Sequence, residues 1–485
     1  MIAWTIYLSF AGAVLLLCLP AASARWIALA TTCATLGISL IGFLSNADFA
    51  HFATIVRVPW VPTLGMTYHL AVDGISLTLI LVTGITAVSA VLFSWDVERR
   101  PNEFFFWLLL VVGGSYGVFL SADLFLLFVF YELVIVPKYF LIAIWGSTNK
   151  EYGAMKLTLY SFFGGALVFI GLIAAYVSAD SLDLQQMGQF PFDSHLQAWA
   201  FPVLFLGFAV LAGIWPLHTW APTGHVAAPT AGSMLLAGIV MKLGAYGALR
   251  VAMNLFPQGF EMWREWLAVL AVIGIVYAAA VALRQSDLKF VIGYSSVSHM
   301  GFVLLGLATG NALGVSGAVL QMFSHGVIGA LLFAIAGTIY RRTHTRDLDD
   351  LASLGLKSTM PFAAFAFVIA SAASMGIPGF SGFAAEITIL IGTWKSFPAA
   401  AWIAGAGMVL VGAFTLRALK RSFFSDQPTK PRPVGTTHQE QIAPITIAEK
   451  CGATLLMLAT LAVGLYPKLL LDRIMPAVEA MRFVK

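Results

Sequence analysis

"PLHTWAPTGHVAAPTAGSMLLAGIVMKLGAYGALR", residues 216–250, decides the architecture. Its first part carries Pro216, Pro222 and Pro229 with Gly224 and Gly232, residues that interrupt helices. From residue 231 to 250 it becomes an apolar run long enough to cross a bilayer core of roughly 30 Å at about 1.5 Å per residue. Lys242 sits in the middle of that run, among small residues that permit close helix packing. An ionisable side chain at mid-bilayer costs roughly 2.5–3.5 kcal/mol on insertion scales, so this lysine asks for a functional account.

Working outward, fourteen apolar runs of about 18 residues or more recur from end to end, the first near 2–22 and the last near 447–469. The composition agrees. The 485 residues are 60% hydrophobic and 10% charged, where a soluble domain carries roughly 25% charged residues. Mean hydropathy is +0.89. So few charges leave a soluble protein of this size uncovered but suffice for loops between spans. This excludes a soluble enzyme, a disordered scaffold and a nucleic-acid binder, since the basic residues behind the formal charge of +4 are scattered. Backbone polar groups inside a bilayer must be satisfied within each segment, so an all-α polytopic bundle is expected. The short alternating segments of a membrane β-barrel are absent. The first run lacks a basic start and is followed at once by another, so it does not read as a cleaved signal. Cys18, Cys33 and Cys451 form no CxxC, and no phosphate loop or dinucleotide fingerprint occurs, so no cofactor bound by this chain is expected.

With the N-terminus placed outside, about twice as many Lys and Arg fall on the inside as on the outside, which predicts both termini outside. Two spans read as discontinuous. The seventh, 200–217, is interrupted at Gly213–Pro216, and the twelfth, 359–396, is divided by "MGIPGFSG" around Pro378. Each is fourth in a block of five spans, and five is odd, so the second block would start on the opposite side of the membrane. That is the pattern of an inverted repeat with its ion path near the broken helices. The expected organisation is an N-terminal three-helix segment (1–103), a first five-helix repeat (104–250), a second, inverted one (251–421), and a polar loop with a last helix (422–485). Segments 179–199 and 422–446 are the main polar loops.

Further ionisable residues fall inside spans. Glu132 lies near the middle of span 5, in "YELVIVPKYFLIAIWG", and Lys138 follows six residues later. Six residues turn a helix by about 240°, so Lys138 does not share the face of Glu132 and can either snorkel to the interface or join a relay. His299 and His325 lie in the middle of spans 10 and 11, and Glu386 follows the break of span 12. Each has a plainer reading as a hydrogen-bonded or helix-capped core group. Lys289, with Asp287, sits at the inner end of span 10, as an interface anchor or as an auxiliary to the relay. "RRTHTRDLDDL", residues 341–351, reads as a solvated inside loop. His218 and His225 are seven residues apart with no third ligand, so no metal site is expected. A lysine buried near a carboxylate is a natural switchable proton store, which pairs Lys242 with Glu132. Protonatable groups strung across spans 5, 8, 10, 11 and 12 suit movement of a proton better than binding of a larger substrate.

"YELVIVPKYFLIAIWG", residues 216–250, "DLKFVIGYSSVSHMGFVLLG", "HTRDLDDLASLG" and "IPGFSGFAAE" together resemble the antiporter-like subunits of respiratory complex I, over essentially the whole chain. The resemblance implies a proton-translocating subunit of an NADH–quinone oxidoreductase in a bacterial inner membrane. It implies NADH, flavin, iron–sulfur clusters and quinone in partner subunits, and other antiporter-like and small membrane subunits as partners. By the same resemblance Glu132, Lys242, His299 and His325 correspond to the relay, and Glu386 to its terminal proton-releasing carboxylate. Related branches, including sodium–proton antiporter subunits, usually carry lysine at that last position. A cation/proton antiporter component, or a membrane subunit of a hydrogenase or ferredoxin-driven complex, are the alternatives. One departure stands out: the family commonly places a lysine on span 7 where this chain has Leu211. Lys138 is the candidate to take over that partner role.

Overall fold

The computed structural model describes residues 1–45, 50–425 and 442–484. Twelve helices among them are long and apolar enough to cross a membrane, and Trp4–Cys18 and Pro361–Ser374 are shorter apolar helices. Gly74–Leu92, Thr230–Met253 and Ala312–Thr343 are almost wholly buried and form the centre, whereas Lys150–Ala179 and Pro398–Phe423 are mostly exposed. Their exposed side chains are apolar, Leu159, Phe162, Phe169 and Val409 among them. That is the outward face of a bundle solvated by lipid.

Asp and Asn side chains start many of the helices, accepting from the free amides of the first turn: Asp73 from Ser76, Asp123 from Leu126, Asp287 from Lys289 and Phe290, and Asn311 from Gly314. The helix Ile447–Leu465 opens with a reciprocal capping box between Thr446 and Glu449.

Both expected interruptions are present. Ser194–Ala212 ends at Gly213, whose φ of 72° only glycine adopts easily, and helix resumes at Trp220–Ala227 beyond Pro216. Pro361–Ser374 and Ser381–Ser396 are separated by a turn containing Gly376, Pro378 and Gly379.

Span 5 is broken as well, into Leu124–Leu133 and Ile135–Trp145, with Pro137 just past the break. Its ring removes the backbone donor that would have bridged back to Leu133. The helix carrying Lys242 is widened by π turns on both sides, Leu236–Val240 and Ala248–Met253. Such turns are frequent at functional sites. Two further elements add to the expected plan. A two-stranded antiparallel hairpin pairs Ala53–Val61 with Met66–Val72, and the helix Lys468–Glu479 follows the last long one. Of the expected polar loop 422–446, residues 426–441 lie outside the described residues.

Two short bridges share one design. Asp123 pairs with Asp183, and Asp287 with Asp347, at the same spacing along the chain. In each, the helix-starting Asp is flanked by the same crossed amide bonds, Leu124 to Leu182 and Leu184 to Ala122 in the first, Leu288 to Arg346 and Leu348 to Ser286 in the second. The hairpin docks on the first bridge through Thr67, which donates to Asp123, and His69, whose Nδ1 lies 3.1 Å from Asp183.

Candidate functional site

Lys242, His325, His299 and Glu386 come from four different elements and meet in the buried centre. The Lys242 Nζ lies 2.7 Å from His325 Nδ1 and donates to the Ala237 carbonyl, which the preceding π turn leaves turned toward it. The rings of His325 and His299 stack with centroids 5.6 Å apart and planes 25° apart. His299 Nε2 lies 3.5 Å from Glu386 Oε1 and 3.1 Å from the Ser374 carbonyl at the end of the broken helix. Its Nδ1 is 2.8 Å from the Ser295 carbonyl. With both ring nitrogens facing carbonyls, His299 can donate from either one, and its tautomer selects which. Burial without water would make each unpartnered charge here costly, so the row of mutual contacts is what allows the four groups to share the interior.

The break between Ser374 and Ser381 gives Glu386 its room. A Cβ on Gly376 would stand 2.7 Å from Glu386 Oε2, and that glycine also holds φ at 69°. His299, His325, Gln321 and Glu386 line a cavity of about 10 Å³, enough for about one water.

Glu132 lies apart from this row. The expected pairing with Lys242 is not made: among the described residues Lys242 contacts His325 and Ala237, and Glu132 has no ion pair. Tyr131 meets Phe208 edge-on at 5.5 Å, and Phe208 packs on Gly244 and Gly247 of the Lys242 helix, so apolar packing joins the two regions. Glu132 rests against Gly165, where a Cβ would lie 2.0 Å from its Oε1. Its electrostatic partner is Lys138, across the break at Val134. Lys138 is buried, and its Nζ has no hydrogen-bond partner, so it does not snorkel to an interface. Leu211 is buried on the helix that faces Gly244 and carries no charge there.

Lys289 is likewise buried rather than an interface anchor; its Nζ donates to the Ala228 carbonyl at 2.9 Å. Within 341–351, Arg346 is buried, pairs with Asp287 at 3.2 Å and donates to Val226 at 2.9 Å, so this stretch is not wholly a solvated loop. His225, set aside in the sequence for want of metal partners, is fully buried, and neither ring nitrogen has a hydrogen-bond partner. Its signal was its place in the proline-rich stretch that ends beside Lys289. Among the described residues no group of three or more His, Cys, Asp or Glu side chains stands close enough to hold a metal ion.

Residues 121–412 match the family described as NADH:quinone oxidoreductase/Mrp antiporter, transmembrane. A relative named NADH-quinone oxidoreductase subunit M, from Rhodobacter capsulatus, is 35% identical over 95% of this chain and 91% of its own. An NAD(P)H-quinone oxidoreductase chain 4 from Synechococcus elongatus is 37% identical over 92% and 84%. Among solved structures, a chain of respiratory complex I from Thermus thermophilus with bound NADH superposes with a TM-score of 0.90 at 26% identity, covering 99% of both. A chain of the Mrp complex of a Dietzia species shares the fold, with a TM-score of 0.85 at 22% identity over 99% of this chain and 97% of that one.

Proposed function

The chain belongs to the NADH:quinone oxidoreductase/Mrp antiporter family of membrane subunits, and on that premise we propose that it is the M-type, chain 4 subunit of a complex I-type NADH–quinone oxidoreductase. It is an integral membrane protein, and it moves protons while electron transfer runs in partner subunits, which hold the NADH, flavin, iron–sulfur clusters and quinone. The observation that carries this reading is the continuous row Lys242–His325–His299–Glu386. Each member can both take and give a proton, and each touches the next. A proton therefore needs only short steps across a region that would otherwise exclude it. Glu132 and Lys138 form a second pair that sets the charge near the start of the row.

Residues 104–250 and 251–421 act as two inverted repeats, with both termini outside, so that intake and release lie on opposite sides. The paired Asp bridges and the matched broken helices support that arrangement. The same fold serves the Mrp complex, and a cation/proton exchanger is the second reading. Glutamate rather than lysine at position 386 favours the first.

The test is His299→Leu in the assembled complex, reconstituted in vesicles. The expected result is normal assembly with a reduced proton-to-electron ratio. Normal pumping by the assembled variant would overturn the assignment.

A further inference from the structure

The row from Lys242 to Glu386 needs a supply of protons, and the link from Glu132 crosses apolar packing with Leu211 on the intervening helix. A different approach is built elsewhere in the molecule. A cavity of about 290 Å³ opens beside Glu98 and Arg99, both exposed, and is walled by Val97, Thr230 and Tyr340. At its inner end stands Lys289. The Lys289 Nζ donates to the Ala228 carbonyl at 2.9 Å and lies 3.5 Å from the carbonyl of His225. These carbonyls close the short helix Trp220–Ala227, so the ammonium sits at its negative end.

His225 is the next group inward. Its ring stacks on Phe333 at 4.2 Å with planes 13° apart, and its own carbonyl and that of Val226 accept from Ser233 and Arg346. The ring can turn only about its Cβ–Cγ bond, so exchanging its two edges takes it briefly out of the stack. Both ring nitrogens are buried without hydrogen-bond partners. Leaving both nitrogens of a fully buried imidazole unpaired is costly in a static core. Lys289, Lys242 and His325 all lie close enough for their charges to act on this ring.

Resting on the function proposed above, we infer that Lys289 and His225 form the intake of the relay, carrying protons from the cavity beside Glu98 and Arg99 to the Lys242–His325 pair. In this sequence a proton reaches the Lys289 amine from water in the cavity. The resulting ammonium gives a proton to one nitrogen of His225, directly or through one water. The imidazolium turns about its Cβ–Cγ bond, releases that same proton toward Lys242 and turns back, so its starting tautomer is kept. One proton enters and one leaves, so the charge on His225 is unchanged after each passage.

The experiment uses the assembled complex in vesicles and reads the proton-to-electron ratio of His225→Leu and Lys289→Leu. Both ratios are expected to fall by the share that this subunit contributes, while complex assembly stays normal. Because buried substitutions can impair folding, a second measurement uses Val97→Cys in a background with Cys18, Cys33 and Cys451 changed to Ser. A negatively charged, membrane-impermeant thiol reagent should lower the ratio when applied to the cavity side and leave it unchanged from the opposite side. Assembled variants and labelled Val97→Cys complexes that all pump normally, beside a His299→Leu complex that does not, would overturn the intake alone. A His299→Leu complex that pumps normally would overturn the underlying function instead.

Discussion

Lys242 Nζ lies 2.7 Å from His325 Nδ1, and the other ring nitrogen of His325 has no hydrogen-bond partner. An ammonium can only donate, so with Lys242 charged His325 must accept at Nδ1 and carry its proton at Nε2. The proton that can move onward then stands on the nitrogen without a partner, on a ring stacked against His299. His325→Leu should abolish this hand-over and leave a buried ammonium with one partner fewer, a loss of about 1–3 kcal/mol. We expect an assembled complex with several-fold lower coupled proton transfer, measured by acidification of reconstituted vesicles. His325→Leu vesicles that acidify at the normal rate would count against the hand-over.

Lys138 should matter more here than in relatives that keep a lysine on span 7. It is buried without a hydrogen-bond partner and interacts with Glu132 across the helix break. Lys138→Met should lower pumping strongly, and Leu211→Lys in that background should restore part of it, because the new amine would rise from the neighbouring helix. An active Lys138→Met enzyme would refute the partner role.

Much of this site was legible in the residues, because charges inside apolar runs are costly and hence conspicuous: Glu132, Lys242, His299, His325 and Glu386 announce themselves by position. Which of them touch was not legible. Spacing along one helix argued against contact between Lys138 and Glu132, and among the described residues no ion pair joins them; the break at Val134, which a regular 3.6-residue period does not anticipate, still leaves their charges within reach of each other. Pairing Lys242 with Glu132 failed for a similar reason, as opposite sign alone says nothing about the Tyr131–Phe208 packing that joins their helices. The π turns around Lys242 contain no proline and leave no mark in hydropathy. The hairpin 53–72 was hidden by its brevity between long apolar runs, although the β-branched "TIVRV" and the turn at Gly65 are its signature.

Asp183 should make the docking of that hairpin depend on pH. Burial pushes its carboxyl up, but the hydrogen bond from His69, the Gln186 amide and the charges of His69 and Arg57 outweigh it and hold the group below the ordinary carboxylate range. A lowered folded value means the stabilisation is complete above the unfolded value of about 3.9 and disappears as pH falls through the folded one. Hydrogen exchange of amides 53–72, corrected for intrinsic rates, should be slow from pH 7 down to about 5 and speed up below about 4. In Asp183→Asn it should be fast throughout. Equal protection in variant and parent at pH 7 would show that Asp183 does not anchor the hairpin.

The last prediction concerns Glu386 and the side of release. Glu386 lies one turn into the helix that restarts after the break at Gly376–Gly379, with His299 on one side and a cavity of about one water beside it. Irregular backbone at membrane depth is tolerated only where protein or water covers it, so this break is where a wet path can reach the end of the row. If both termini lie outside, as proposed above, the helix runs from inside to outside and places Glu386 in the outer half. On the proposed reading, a proton arriving from His299 neutralises the carboxylate, and its departure to the outside restores the charge that draws the next one. Glu386→Gln keeps the shape and the hydrogen-bonding capacity toward His299 but cannot cycle a proton, so assembly should be normal and the proton-to-electron ratio reduced. Gly376→Ala offers an independent check. Its methyl group would press on Oε2 at 2.7 Å and strain a backbone at φ 69°, displacing the carboxylate from His299 while leaving it ionisable. That variant should pump slowly yet keep the parental ratio, since a misplaced carboxylate still releases each proton it receives. If Glu386→Gln instead pumps at the parental ratio, release does not pass through this residue.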